Sequence, residues 1–181
     1  MKVFDKPGPQ NTAEAVKLAA QRARELGIKE LVVASNTGRV ARAALDAFKG
    51  GKVIVVTRHS GFSEPWKNEM PNDVYRDLIS RGAFVHTGTH VLSGIERSFN
   101  SQFKGVYPTQ IVAETLRLFG QGTKVCVEVA IIASDGGLLS GSMMVAVGGT
   151  GEGADTALVL TPSTSNRFLE LRIHEIICKP E

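Results

Sequence analysis

Ser35, Asn36, Thr37 and Gly38 stand where an apolar run, Leu31 to Ala34, gives way to the helical pattern Val40 to Phe48. At such a junction the first amides of the helix have no partner inside it and together carry about half a positive charge. The hydroxyls of Ser35 and Thr37 add donors, and Gly38 lets the backbone approach closely whatever is held. The chemistry this suits is capture of one compact anion such as a phosphate. Plain capping of the helix by Ser35 or Thr37 is an equally good account of the same residues.

Three further stretches could complete a site. Gly148-Gly149-Thr150-Gly151-Glu152-Gly153-Ala154-Asp155-Thr156 joins two apolar runs, and its glycines allow amides to face a ligand, although such a loop is as readily a tight turn. Thr57-Arg58-His59-Ser60-Gly61-Phe62 and His90-Val91-Leu92-Ser93-Gly94 each follow a short apolar run. From these, Phe62, or Trp66 beyond it, could cover an aromatic ring, while His59, His90 and Ser93 could bond its polar rim. Each histidine taken singly is better read as structural, and Glu96 with Arg97 as a solvated helical pair. Glu128 lies in an apolar segment and needs a buried partner or a ligand.

The elements that must position these residues follow from periodicity. Asn11 or Thr12 caps a helix with apolar positions Ala15, Val16, Ala19, Ala23 and Leu26, ended by Gly27. Leu31 to Ala34 and Val53 to Val56 lack polar alternation, as strands covered on both faces do. With the helix Val40 to Phe48 between them they make a crossover unit, whose ligands sit beyond the carboxyl ends of the strands. Further on, Val74 to Arg81 reads as helix, Ala83 to His86 as strand, Leu92 to Phe99 as helix, and Pro108 opens a helix to Phe119. Val125 to Ala133 satisfies both strand composition and helical spacing, which periodicity alone does not separate. Met143 to Val147 and Ala157 to Leu160 read as buried strands, and Leu171 to Ile177 as a last strand at the sheet edge.

A chain of 181 residues with 43% hydrophobic and 22% charged residues fits one folded domain, residues 1–181. Its 21 basic residues are scattered among 18 acidic ones, so no nucleic-acid partner is expected. No apolar stretch approaches the roughly 20 residues of a membrane helix, and Met1 opens no leader, so a cytoplasmic protein is expected. Cys126 and Cys178 have no metal-binding spacing and read as buried free thiols.

The run Ala34-Ser35-Asn36-Thr37-Gly38-Arg39-Val40-Ala41-Arg42 resembles the threonine/serine-glycine turn of the pyruvate kinase C-terminal domain, which holds a sugar phosphate of the allosteric activator. The likeness extends through Asn11 to Ala41, Lys52 to Thr57, Gly105-Val106-Tyr107-Pro108 and Gly148 to Leu160, leaving out Phe62 to Met70 and much of Thr87 to Lys104. It is strongest to stand-alone archaeal-type proteins similar to this domain, which are associated with flavin mononucleotide (FMN). The resemblance implies an α/β fold, a three-layer α/β/α sandwich with a mostly parallel sheet and an antiparallel edge, in which Lys124 to Ser134 is helix. It implies no pyruvate kinase activity, because that chemistry belongs to a separate barrel. It also exposes a departure: where the related loop brings a tryptophan and an arginine to a second phosphate, this chain has Gly149 and Thr150. Loss of the ring opens space, and loss of the cation removes the neutralising charge for a second dianion.

The expected ligand therefore carries one phosphate and a broad uncharged body, as FMN does. The residues expected to hold it are Ser35, Asn36, Thr37, Gly38, Arg39, Thr57, His59, Gly61, Phe62, His90, Ser93, Gly94, Gly149, Thr150, Gly151, Ala154, Asp155 and Thr156, with no metal. Two other functions remain open on the sequence: a flavin-dependent oxidoreductase or other enzyme acting on a phosphorylated metabolite, with His59 or His90 as acid or base, and a phosphometabolite-sensing module that assembles with a protein or with itself.

Overall fold

The computed structural model describes residues 1–181. Seven strands form one sheet: β1 (Lys2–Phe4), β2 (Glu30–Ala34), β3 (Lys52–Thr57), β4 (Phe84–Thr87), β5 (Met144–Gly148), β6 (Thr156–Thr161) and β7 (Arg172–Pro180). Six α-helices accompany them: α1 (Thr12–Glu25), α2 (Arg39–Ala47), α3 (Asn72–Ser80), α4 (Gly94–Phe103), α5 (Pro108–Arg117) and α6 (Gln121–Asp135).

The uninterrupted apolar runs have their explanation in a sheet covered on both faces. Leu31 and Val33 of β2, with Val53 and Val55 of β3, pack with α1, α2 and α3. Val32, Ile54 and Val56 point the other way, into a second core built largely on α6. Alternate residues thus serve opposite layers, and all must be apolar. The expected α/β three-layer architecture is the one observed.

The strand order is β1-β7-β6-β5-β2-β3-β4. Pairing is parallel from β5 through β2 and β3 to β4, and again between β1 and β7; β6 alone runs antiparallel to both its neighbours. Two expectations are corrected here. The antiparallel pairing lies inside the sheet, and the strand expected at the edge, Leu171 to Ile177, begins at Arg172 and is enclosed. The edge on that side is β1, whose Lys2, Val3 and Phe4 pair with Cys178, Lys179 and Pro180; β4 forms the other. A three-residue strand carries too little pattern to be read from sequence; only its partner defines it.

The ambiguous segment Val125 to Ala133 is helical, part of α6, as the resemblance implied. Its valines and isoleucines are buried nearly all round, because one side of α6 lies on the sheet and the other beneath neighbouring segments. Such burial overrides the weak strand preference of β-branched residues. The helix sits close: a Cβ on Gly122 would run into the Thr156 side chain and come within 2.9 Å of Asp155 Oδ1. Gly122→Ala should therefore overpack the α6–β6 contact and lower unfolding free energy by about 1–3 kcal/mol. A urea-unfolding midpoint equal to that of the native chain would contradict this packing.

Candidate functional site

A cavity of about 460 Å³ opens outside the carboxyl ends of β2 and β3, within the size range of small-molecule sites. From β2 the chain proceeds to β3 on one side, while β5 lies on the other. The loops after β2 and β5 therefore diverge at this point, which leaves the crevice where open α/β sheets bind ligands. Ala34, Val56, Val125, Val129 and Ile132 supply apolar wall, and the loops supply the polar groups.

The turn after β2 is held open from several sides. Ser35 N–H donates to the Val56 carbonyl at 3.0 Å, continuing the strand pairing, and the Ser35 hydroxyl accepts from Ala41 N–H at 3.4 Å. Asn36 Oδ1 accepts from Arg58 N–H at 2.8 Å, tying the turn to the end of β3. Gly38 has φ of 82°, and a Cβ there would collide with the Val74 side chain, so only glycine suits the position. Within this frame the amides of Asn36, Thr37, Gly38, Arg39 and Val40 donate to no acceptor in the chain. Thr37 is exposed and Asn36 half-buried, so the cradle is open to solvent. Arg39 lines the cavity beside it and belongs to no ion pair.

Across the opening, the loop after β5 contributes Gly149, Gly151, Glu152 and Gly153 to the lining. Their amides also lack acceptors within the chain. The only charged side chain this loop brings is Glu152, which opposes a second anionic group. Asp155 serves the loop itself. Fully buried, its carboxylate accepts from Gly8 N–H at 3.0 Å, Thr150 N–H at 3.2 Å and the Thr156 hydroxyl at 2.8 Å. Ala154 is also buried, with its N–H on the Thr12 hydroxyl, so Ala154, Asp155 and Thr156 shape the loop and stay out of the cavity.

The third wall is aromatic and basic. Rings of His59, His90 and Phe62 form a cluster with centroids 4.9 to 5.6 Å apart, and the Arg58 and Arg97 guanidiniums lie 4.7 and 4.9 Å from the Phe62 ring centre. Phe62, His90, Ser93 and Thr57 line the cavity, whereas His59 packs its ring against that of His90; Gly61, in the loop after β3, and Gly94, the first residue of α4, lie outside the lining. Trp66 is 93% exposed and covers nothing. Burial holds the His90 imidazole below its ordinary value; the His59 ring acts in the same sense, and the Glu128 carboxylate opposes both.

Glu128 finds its partner in Lys124. The two form a buried ion pair on successive turns of α6, and Glu128 Oε1 also accepts from Leu92 N–H at 3.0 Å. Both line the cavity. Sequence reasoning had Glu128 without Lys124, although spacing of four residues in a helix was the available signal. Glu96 and Arg97, weighed on the sequence as a solvated helical pair, both line the cavity, while Asn100, Gln110 and Arg117 were missed, because α4 and α5 face the cavity only through the tertiary fold.

The fold and cavity define an α/β domain of the open-sheet kind, with its crevice at the carboxyl ends of parallel strands. Comparison with known proteins then gives the family: residues 13–160 match the profile described as pyruvate kinase, alpha/beta domain. The chain belongs to that family. Among solved structures it is similar to a pyruvate kinase from Cryptosporidium parvum, with 20% identity over 80% of this chain and 22% of that one, at a TM-score of 0.39. A second structure, Cryptosporidium parvum pyruvate kinase in complex with ADP, gives 21% identity over 93% of this chain and 24% of that one, also at 0.39. The chain spans about a quarter of the length of these enzymes. No helix is long and apolar enough to cross a membrane.

Two expectations follow from the geometry. Asp155→Ala strands two loop amides and a hydroxyl, and should lower unfolding free energy by about 3 kcal/mol; unchanged thermal stability would mean the loop is held otherwise. His90 binds its proton less tightly folded than unfolded. As pH falls below the ordinary histidine value of about 6.5, the unfolded chain takes up a proton that the folded chain refuses. Stability therefore drops until the lowered folded value is passed, and then levels. In urea titrations His90→Asn should lose less stability between about pH 7 and about pH 5 than the native chain.

Proposed function

We propose that this chain binds a small molecule carrying a single phosphate, seated on the amides of Asn36 to Val40, and that the molecule is FMN. The observation that carries the reading is the row of five amides without acceptors, opening on a 460 Å³ cavity. Free amides at a helix N-terminus, with Arg39 adjacent, supply charge and donors for one dianion. Glu152 on the opposite rim leaves no counterpart for a second phosphate.

The residues present fit a flavin. Apolar wall from Ala34, Val56, Val129 and Ile132 suits a broad uncharged ring, Phe62 offers an aromatic face, and His90 and Ser93 offer hydrogen bonds to its rim. When bound, a flavin supplies electron or hydride transfer, chemistry that the side chains lack. The chain's own part in this reading is to hold the phosphate, exclude water from the ring with α4, α5 and α6, and keep His90 neutral near pH 7. The reading assigns no pyruvate kinase activity to the chain.

Protein purified without added ligand, denatured and analysed by mass spectrometry, should release FMN, or should take up added FMN in titration calorimetry. Thr37→Asp places a carboxylate on the exposed lip of the cradle without disturbing the core. It should weaken FMN binding about 100-fold or more, because one contact with the dianion turns repulsive and donors are blocked. Riboflavin, which lacks the phosphate, should bind the native chain and Thr37→Asp about equally. Colourless protein that ignores added FMN, or equal affinity of the two proteins for FMN, would remove the proposal.

A further inference from the structure

The Lys124–Glu128 pair has no adequate explanation in stability. Both side chains are almost fully buried, at 9% and 6% exposure, so two charges have been taken out of water. A well-packed apolar pair of similar volume is often as stable or more so. The order along the helix is also the unfavourable one. A lysine four residues before a glutamate gains less than the reverse arrangement, and Lys124 sits near the positive end of α6, which begins at Gln121. What the two residues share is a place on the cavity wall.

Their unused valences define what they can read. Lys124 Nζ has three N–H bonds, of which one goes to Glu128. Glu128 spends one lone pair on Lys124 and one on Leu92 N–H, and its other lone pairs are unused within the chain. An ammonium cannot accept and a carboxylate cannot donate, so a partner must offer an acceptor to Lys124 and, beside it, a donor to Glu128. The pair is neutral overall, so it demands no net charge from the ligand. Around it, Val125, Val129 and Ile132 of the same helix supply apolar wall against which an uncharged ring can lie.

Resting on the single-phosphate reading above, we infer that Lys124 and Glu128 form a recognition edge for the ring end of the ligand, selecting a planar heterocycle that presents an N–H beside a carbonyl, as the imide edge of a flavin does. The neutral pair offers a phosphate no net charge, whereas the free amides of α2 and Arg39 do, so the phosphate goes to the α2 turn and the ring to the pair. Lys124 donates to the ring carbonyl and Glu128 accepts from the ring N–H. The Leu92 amide holds the Glu128 carboxylate in place and ties the His90 loop to the same edge.

The test compares FMN with FMN methylated at the imide nitrogen, which keeps the phosphate and the ring but loses the donor. The native chain should prefer FMN by about tenfold or more, the loss expected for one charge-assisted hydrogen bond. In Lys124→Met/Glu128→Gln, glutamine still accepts from Leu92 N–H, so the fold is kept, as a thermal melt would report. That variant should bind the two flavins within about threefold of each other, while inorganic phosphate competes equally well in both proteins. Equal affinity of the native chain for both flavins, or a preference that survives in the variant, overturns the recognition edge and leaves the phosphate cradle standing. Competition by phosphate with no binding of FMN also overturns the edge. If neither FMN nor phosphate binds the native chain, the single-phosphate reading fails, and the edge with it.

Discussion

Five successive backbone amides, from Asn36 to Val40, have no acceptor within the chain, and the geometry around them prevents the chain from supplying one. Ser35 is still paired to β3 through its own amide, so the strand cannot be extended or released. Asn36 is fastened sideways to Arg58 N–H, and Gly38 is wedged in a left-handed turn against Val74. A turn free to relax would satisfy some of these groups by closing on itself or by adding a tighter helical turn. Here rigidity on three sides maintains a concentration of positive potential facing solvent. The rest of the cavity, from the glycine loop to α6, is disposed about that potential.

Charge is otherwise sparingly exposed in the cavity. Arg58 is committed to Glu69, Arg117 to Glu114 and Lys124 to Glu128, whereas Arg39 beside the cradle and Arg97 over Phe62 have no acidic partner. The uncompensated cations thus lie by the α2 turn and over the aromatic cluster, and the α6 wall is polar but neutral. That polarity agrees with a ligand that is charged at one end and merely hydrogen-bonding at the other. The covering elements are lightly anchored. No side chain of α4 is buried, and the helix begins at Gly94 and is followed by Lys104 and Gly105, all three with positive φ. It is held largely through Glu96, whose carboxylate accepts from Thr109 N–H at 3.1 Å, and through Asn100, which donates to the Gly105 carbonyl at 2.5 Å.

The candidate site was partly legible before the fold was known, and the legible part is local. The turn from Ser35 to Gly38 could be read because strand, turn and helix follow one another in the chain, and free amides are a property of any helix start. Phe62 and His90 could be suspected because each follows a strand expected at the same sheet edge. Lys124 was not paired with Glu128 although the helix implied for Lys124 to Ser134 sets them four residues apart, since nothing in the segment tells that Lys124 is itself buried. Asp155 was expected among the ligand contacts as part of the glycine loop from Gly148 to Thr156, whose amides could face a ligand. Its partners are the amides of Gly8 and Thr150 and the hydroxyl of Thr156. Gly8 is remote in the chain, so the buried role could not have been foreseen.

The sequence by itself determined the alternation of helices and apolar strands, the crossover unit from β2 to β3 and the position of the anion-ready turn, because these depend on periodicity and on backbone chemistry within a few residues. Tertiary structure decided that β1 forms one edge of the sheet and that β6 is antiparallel within it, and for Val125 to Ala133 it supplied the burial that makes the implied segment a helix. It also decided that α4, α5 and the Lys124–Glu128 pair line the cavity. Each of those outcomes depends on what lies opposite a residue in space: a partner strand for β1, a sheet and neighbouring segments for α6, a carboxylate for Lys124. Burial and pairing are properties of two surfaces, and one segment of sequence specifies only one of them.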